Sequence, residues 1–164
     1  MERRRRREPD AAPEMPGAFC GIDPGKKGSA CLLVGNDVHF IDWQESETYL
    51  AGLMREWHEE FRIQACILEK VHAFPKQGVV GVFTFGCNFG TWRGILAALG
   101  IPFTLELPQA WMKSLVGKEG SMPVAARMYP KAQLFGPKGG ALDGRSDALC
   151  MAVVARRRFL GGES

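Results

Sequence analysis

The chain has 164 residues, of which 46% are hydrophobic and 10% aromatic, and its formal net charge at pH 7 is +3. That length predicts one globular core and is too short for two ordinary domains. No apolar stretch approaches the roughly 20 residues that span a bilayer, so we expect no membrane anchor. The charge is low for a nucleic-acid-binding protein, so its distribution is more informative than its total.

The first 17 residues differ in composition from the rest of the chain. They hold five arginines, four acids and three prolines, with little to bury. This composition predicts a disordered, Arg-rich tail at 1–17 and a folded domain at 18–164. The tail has no hydrophobic segment of the kind found in signal peptides. We interpret it as a solvated leader, with an auxiliary DNA contact and a targeting signal as alternatives.

The five cysteines contain no CxxC pair and stand among apolar neighbours. This pattern predicts reduced, buried thiols in a reducing compartment, such as the cytoplasm of a bacterial or phage-infected cell, with an organelle as the alternative. We expect neither disulfides nor a zinc site. The residues are Cys20, Cys31, Cys66, Cys87 and Cys150.

Hydrophobic periodicity and turn residues predict five strands and five helices. In chain order the segments are AFCGID, SACLLV and VHFIDW as an antiparallel meander, ETYLAGLMREWHEEF as an amphipathic helix, QACILE as a strand, 79–99 as an apolar helix, FTLELP as a strand, and PQAWMKSLV, SMPVAARMYP and DGRSDALCMAVVARRRFL as helices. Ser121 is predicted to be the N-cap of its helix. In the last helix, the uncharged run 148–155 predicts a core position with an acidic entrance.

Three glycines recur at four-residue intervals in the apolar helix, at Gly86, Gly90 and Gly94. They lie on one helical face, where each costs about 1 kcal/mol relative to alanine. We therefore expect close approach of a partner backbone to this face. Packing within the chain is the first interpretation, and contact with DNA is the alternative.

Four acids fall at the ends of predicted elements. Asp23 ends the first strand before a Pro-Gly turn, Glu69 ends an apolar strand, and Asp143 and Asp147 lie one helical turn apart. The Asp-Pro-Gly sequence alone also fits an ordinary turn. Carboxylates of this kind suit Mg²⁺ or Mn²⁺, and two such ions support in-line hydrolysis of a phosphodiester.

The ordered motifs GIDPGKKGSACLL, ILEKVHAFPKQG, PQAWMK and DGRSDALCMAVVARR resemble those of the RuvC-type Holliday junction resolvases, especially the phage and plastid relatives. The resemblance covers nearly everything from residue 18 onward. It implies an α/β, ribonuclease H-like fold with a mixed five-stranded central sheet flanked by helices. It also implies a homodimer that binds four-way junction DNA and cuts it by paired symmetric nicks in recombination and repair, with two divalent cations per active site.

The resemblance assigns roles to individual acids. Asp23 matches the aspartate of the first strand, Glu69 the glutamate of the central strand, and Asp147 the final aspartate before Ala-Leu. Asp143 stands four residues before the last acid, a spacing similar to the plastid and phage branch, whereas bacterial members have three. All four are expected to be catalytic metal ligands.

Basic residues near these acids are expected to contact DNA phosphates, although each also fits a solvated surface position. Lys113 has the stronger case because it stands in a motif that the family shares, where it could orient water or bind the scissile phosphate. Phe74, or His72 in its place, follows the second acid in a loop that the family uses at the junction centre. The expected phosphate contacts are Lys26, Lys27, Lys70, Lys76, Lys113, Lys118 and Arg145.

Three other functions fit parts of the pattern. A ribonuclease H-like nuclease that cuts flaps or forks would use the same acids. An actin-like ATPase also has Asp-x-Gly turns at phosphates, but that fold needs two such domains and a longer chain. A catalytically idle junction-binding protein would have no need for an intact acidic set.

Overall fold

The computed structural model describes residues 16–70 and 78–161. Within these ranges the strands are β1 (Ala18–Ile22), β2 (Ser29–Val34), β3 (Asp37–Asp42), β4 (Ile63–Glu69) and β5 (Phe103–Glu106), and the helices are α1 (Glu47–Phe61), α2 (Val79–Ala98), α3 (Pro108–Leu115), α4 (Ser121–Met128) and α5 (Asp143–Gly161). Every predicted element is present within about two residues of its expected bounds. The predicted tail, apart from residues 16 and 17, lies outside the described residues, as do His72, Phe74 and Lys76.

The five strands form one mixed sheet in the order β3-β2-β1-β4-β5. The first three strands pair antiparallel, which confirms the predicted meander, and β4 and β5 extend the sheet by parallel pairing. All strands except β2 therefore end at the same side, which we call the carboxyl end of the sheet. The predicted α/β class with a mixed five-stranded sheet is confirmed.

Helices cover both faces of this sheet, so β1 and β2 are buried throughout. On one face, α1 and α2 pack through residues such as Leu50 and Trp92. On the other face, α3, α4 and α5 form the second core cluster. Residues 148–155 of α5 are all buried, as the uncharged run predicted. None of the described helices has both the length and the apolar content required to cross a bilayer.

Helix α5 lies almost directly on the backbone of the central strand. A Cβ atom added to Gly21 of β1 would stand 2.1 Å from the carbonyl oxygen of Ala148 and 2.5 Å from the amide nitrogen of Ala152. At the start of the helix, a Cβ on Gly144 would stand 2.2 Å from the carbonyl oxygen of Lys27. Only glycine permits such an approach, so these two positions set how α5 crosses the sheet.

The glycine stripe of α2 does not pack as first interpreted. No atom of the described chain lies within 4 Å of a Cβ placed on Gly86, Gly90 or Gly94. Packing of this face within the chain is therefore wrong, because the stripe faces outward. The expectation of buried thiols also fails in part, since Cys87 on the same helix is exposed while the other four free cysteines are buried.

We predict that Gly21→Ala destabilises the fold by about 1–3 kcal/mol, because its methyl group would overlap the α5 backbone. The matched control is Gly52→Ala in α1, where the described residues place no atom outside the adjoining backbone within 4 Å of the added Cβ. That change should be neutral or stabilising by up to about 1 kcal/mol. Urea unfolding of both variants measures the difference, and a Gly21→Ala protein as stable as the control would contradict the close approach.

Candidate active site

The carboxyl end of the sheet brings two of the predicted acids side by side. Asp23 directly follows β1, and Glu69 is the last residue of β4. The two strands are parallel neighbours in which Ile22 pairs with Leu68, so the next position on each strand is an acid. Because neighbouring strands lie about 4.8 Å apart, these two carboxylates belong to one site.

Helix α5 delivers the other two acids to the same place. Its first turn is held at the sheet by a bridge between Gly28 and Gly144, beside the turn that follows β1. Asp143 begins the helix and is exposed, whereas Asp147, one turn later, is half-buried. The structure therefore brings together all four acids predicted from the sequence.

Burial is the main influence on the pKa values of these carboxyls, and repulsion between them adds to it at two positions. Burial raises the pKa of Glu69 to about 7, and the negative charges of Asp23 and Asp147 add to the rise. Burial likewise raises the pKa of Asp147 to about 6, with added repulsion from Asp23 and Asp143. The pKa of Asp23 is also raised by burial. Such a site holds more negative charge than the protein itself neutralises.

Three hydrogen bonds fix the half-buried carboxylates. The indole Nε1–H of Trp111 donates to Glu69 Oε2 at 2.8 Å, and the backbone N–H of Gly25 donates to Asp23 Oδ1 at 2.9 Å. The hydroxyl of Ser121 donates to Asp147 Oδ1. Among the described residues, the second oxygen of each carboxylate accepts no hydrogen bond. Each acid is therefore oriented through one oxygen and leaves the other available.

Sequence reasoning gave neither Trp111 nor Ser121 this role. Gly120 is the N-cap of α4, so the prediction that Ser121 caps the helix is wrong, and its hydroxyl instead bonds Asp147 and Ser146. For Trp111 a signal was present, since a buried indole N–H on a short helix needs an acceptor. The sequence did not show which acceptor, because Glu69 lies 42 residues away.

The donor set fits a hard divalent cation in ligand type and in charge. All four groups are carboxylates, which Mg²⁺ and Mn²⁺ prefer, and a cation beside Glu69 and Asp147 would stabilise their ionised forms, which burial disfavours. Within the described ranges, however, no three of the His, Cys, Asp and Glu side chains already converge on one ion position. Binding of an ion by these acids would therefore require their side chains to move.

Five of the predicted phosphate contacts are lysines in segments that the structure describes, and all five are exposed. Lys26 and Lys27 belong to the turn after Asp23, and Lys70 follows Glu69. Lys113 lies in the last turn of α3. It stands two positions after Trp111, about 200° around the helix, so it leaves the helix on nearly the opposite side from the indole. Lys118 is exposed in the loop before α4.

Arg145 already has partners within the protein. Its guanidinium forms two hydrogen bonds with Asp42, at 2.9 and 2.7 Å, and a third with the carbonyl oxygen of Gln133. It also lies 5.0 Å from the centre of the Phe40 ring. These contacts connect the start of α5 to the end of β3. A contact of Arg145 with phosphate stays a prediction, and it would have to share or replace these bonds.

Comparison with known proteins finds likeness in structure alone. No protein-family model and no curated relative matches the chain. Thermus thermophilus RuvC in complex with a Holliday junction substrate matches with a TM-score of 0.64 over 90% of this chain and 98% of that chain. A second Thermus thermophilus RuvC structure gives 0.58, covering 88% and 96%, and the yeast mitochondrial Holliday junction resolvase Ydc2 gives 0.50, covering 86% and 78%.

Sequence identity to each of these structures is 17%. The match spans nearly the whole described chain and nearly the whole of RuvC, so it concerns the complete architecture rather than a shared motif. The chain therefore has the ribonuclease H-like fold of the RuvC-type resolvases.

Proposed function

We propose that the chain is a divalent-metal-dependent endonuclease that resolves four-way DNA junctions by paired symmetric nicks. The observation that carries this proposal is the placement of Asp23 and Glu69 at the ends of paired parallel strands, with the start of α5, which carries Asp143 and Asp147, bridged to the turn beside them. The fold adds support, because it is shared with a RuvC structure bound to a Holliday junction substrate. A nuclease that cuts flaps or forks instead is the competing outcome of the cleavage test below.

The metal ligands would be the four acids, Asp23, Glu69, Asp143 and Asp147. When bound, two Mg²⁺ or Mn²⁺ ions would supply activation of a water molecule and stabilisation of the leaving 3′ oxygen. The chain's own contribution is orientation: Trp111 and Ser121 hold two of the carboxylates by one oxygen each. Both are positioning residues, since they act through the acids.

The lysines next to the acids would bind the DNA backbone. Lys26, Lys27 and Lys70 are exposed and follow directly on the two strands that carry Asp23 and Glu69. Their ammonium groups would offset the negative charge of the phosphates close to the scissile bond, and this contribution weakens as salt concentration rises. Lys113 and Lys118 would extend this basic surface along the α3 side.

The homodimer in this proposal would form through the outer face of α2. Arg93 is the only charged residue of this 20-residue helix, yet Val79, Val80 and Phe83 are 85%, 80% and 73% exposed. A helix that is apolar on all sides is normally buried on all sides. The open glycine stripe would let a second copy of α2 approach closely, with each subunit presenting one acidic site to one strand of the junction.

We predict that Asp23→Asn, Glu69→Gln or Asp147→Asn each lowers cleavage of a synthetic four-way junction by about a hundredfold or more. The amide keeps the shape but loses the charge that holds a cation, which removes several kcal/mol of transition-state stabilisation. Junction binding in EDTA should persist. Asp143→Asn should also be severe, so wild-type cleavage by that variant would remove Asp143 from the ligand set.

The control for these variants is Asp37→Asn, an exposed acid at the opposite end of the sheet, which should cleave normally. Matched junction, fork, flap and duplex substrates are compared in the same assay. Preferential cleavage of forks or flaps would favour the nuclease of other specificity. Full cleavage by all four acid variants would contradict the proposed active site.

The raised pKa values predict how metal-free stability depends on pH. Between their ordinary values of 3.8 and 4.5 and their folded values of about 6 and about 7, Asp147 and Glu69 bind more protons in the folded protein than in the unfolded chain. Their contribution to stability is therefore fully present below about pH 4 and is lost as the pH rises through 6 to 7. A cation that binds the ionised forms would offset this loss.

Saturating Mn²⁺ should accordingly raise the thermal unfolding midpoint more at pH 8 than at pH 5. Glu69→Gln should reduce this increase, whereas Asp37→Asn should leave it unchanged. Equal stabilisation at both pH values in the wild-type protein would show that the ion does not bind through these carboxylates.

We predict that Phe83→Glu converts the protein to a monomer by placing a charge on the outer face of α2. The ring is exposed, so the subunit fold should be unaffected. Thr48→Glu, on the exposed surface of α1, is the control and should remain dimeric. Light scattering measures the mass, and a supercoiled plasmid with an extruded cruciform reports the nicks. Linear product from the wild-type protein and nicked circles from Phe83→Glu are expected, and a dimeric Phe83→Glu protein would exclude this interface.

A further inference from the structure

A polar cleft of about 320 Å³ opens beside the acidic site. Its lining includes Asp143 and Gly144 at the start of α5, Lys26 and Lys27 in the turn after β1, and Trp43, the residue after β3. The cleft therefore shares Asp143 with the candidate active site and borders the carboxyl end of the sheet. A cavity of about 600 Å³ at the opposite end is lined by none of the four acids.

The charges of this cleft suit a phosphate group. Lys26 and Lys27 are exposed, and among the described residues neither forms an ion pair. Asp42 also lines the cleft, but its carboxylate is paired with Arg145 at 2.7 Å, and this pairing lowers its pKa. Asp143 is a second acid in the lining, so the three basic residues Lys26, Lys27 and Arg145 stand against two carboxylates and leave one net positive charge. An anion beside the two lysines would meet a net attraction from the lining.

Trp43 gives the same cleft a rigid aromatic wall. Its backbone N–H donates to the carbonyl oxygen of Gly28 at 3.0 Å. Its ring packs edge to face on the fully buried Trp92, with centroids 6.2 Å apart. Trp43 is half-buried, and it lines the cleft together with the two lysines. An indole held in this way is suited to stack on an aromatic base whose phosphate lies on the cations.

The size and position of the cleft limit what it can hold. Its volume is near the lower bound of about 300 Å³ for ligand sites, which suits one nucleotide rather than a duplex. Trp43 follows β3, two strands away from β1, so it lies about 10 Å from Asp23 along the sheet. A nucleotide in the cleft would therefore flank the phosphate that the acids cleave.

We propose that this cleft is a nucleotide subsite that holds an unpaired nucleotide flanking the scissile phosphate. Lys26 and Lys27 bind its backbone phosphate, and the indole of Trp43 stacks on its base. The subsite deepens the proposed function and rests on it, because it gives the acidic site a means of selecting DNA that is unpaired next to the cut, as at a junction or a fork.

The test measures binding without cleavage. A fluorescein-labelled single-stranded oligonucleotide is titrated in EDTA with the wild-type protein, Trp43→Ala, Trp43→Phe and Trp57→Ala, the last removing an indole from α1 as the matched control. Loss of one stacked base should weaken binding by Trp43→Ala about 5- to 150-fold, the equivalent of about 1–3 kcal/mol. Trp43→Phe should keep most of the affinity, because a phenyl ring still stacks, and Trp57→Ala should bind like the wild-type protein.

A second measurement uses the unmodified protein, so it does not depend on how the variants fold. An oligonucleotide containing 5-iodouracil is cross-linked by light, and the modified peptide is mapped by mass spectrometry. A cross-link at Trp43 is expected. Unchanged affinity of folded Trp43→Ala, an equal loss in Trp57→Ala, or cross-links confined to other segments would each overturn the subsite.

These outcomes are separable from the fate of the proposed function. If the wild-type protein cleaves junctions and Trp43→Ala binds the single-stranded oligonucleotide with wild-type affinity, the proposed function stands and the subsite is wrong. If Trp43→Ala loses affinity for the single strand and the wild-type protein cleaves none of the substrates, the subsite stands and the proposed reaction is wrong.

Discussion

The contact between α5 and the backbone of β1 is the constraint on which the rest of the molecule depends. A helix normally packs on a sheet through side chains, whereas here Gly21 removes the side chain on the strand and lets the helix backbone approach it. The same approach at Gly144 fixes the first turn of α5 next to the loop after β1. Two acids from the helix thereby reach two acids at the strand ends. A wider spacing would keep the core but separate the carboxylates.

Grouping the carboxylates at this site lowers the stability of the folded protein while it forms the candidate active site. Burial of Asp23, Glu69 and Asp147 raises the pKa of each, and repulsion between neighbouring carboxylates adds to the rise at Glu69 and Asp147. The core clusters on both faces of the sheet supply the opposing free energy. Strain of this kind is expected at a site that is completed by a ligand from outside the protein. It also explains why the acids stand at element ends, where the backbone is set firmly by the sheet and by α5.

The elements and the four acids could be predicted from the sequence because both follow from local patterns. Periodicity predicts the helix at 47–61 to the residue, and Asp23 and Glu69 stand out because each closes an apolar strand. Partners distant in sequence could not be found in this way. Arg145 was expected to bind phosphate, yet it contacts Asp42, 103 residues away. Ser121 fits a local rule for helix capping, yet its hydroxyl donates to Asp147. The glycine stripe of α2 fits a local rule for close packing, yet it contacts none of the described residues.

The hydrogen bonds from Trp111 to Glu69 and from Ser121 to Asp147 differ in the protonation state of the carboxyl with which they can form. The indole of Trp111 can only donate, so its bond with Glu69 favours the ionised carboxylate and gains nothing from a proton there. The hydroxyl of Ser121 can rotate, donating to an ionised Asp147 or accepting from a neutral one. A proton that settles on Asp147 therefore keeps a partner, while one on Glu69 Oε2 would meet a second donor. A proton on Glu69 therefore belongs on Oε1, and because the pKa of Glu69 is about 7 and that of Asp147 about 6, Glu69 is the carboxyl that keeps its proton to higher pH. Loading the site with a cation near neutral pH would then exchange that proton for the metal ion.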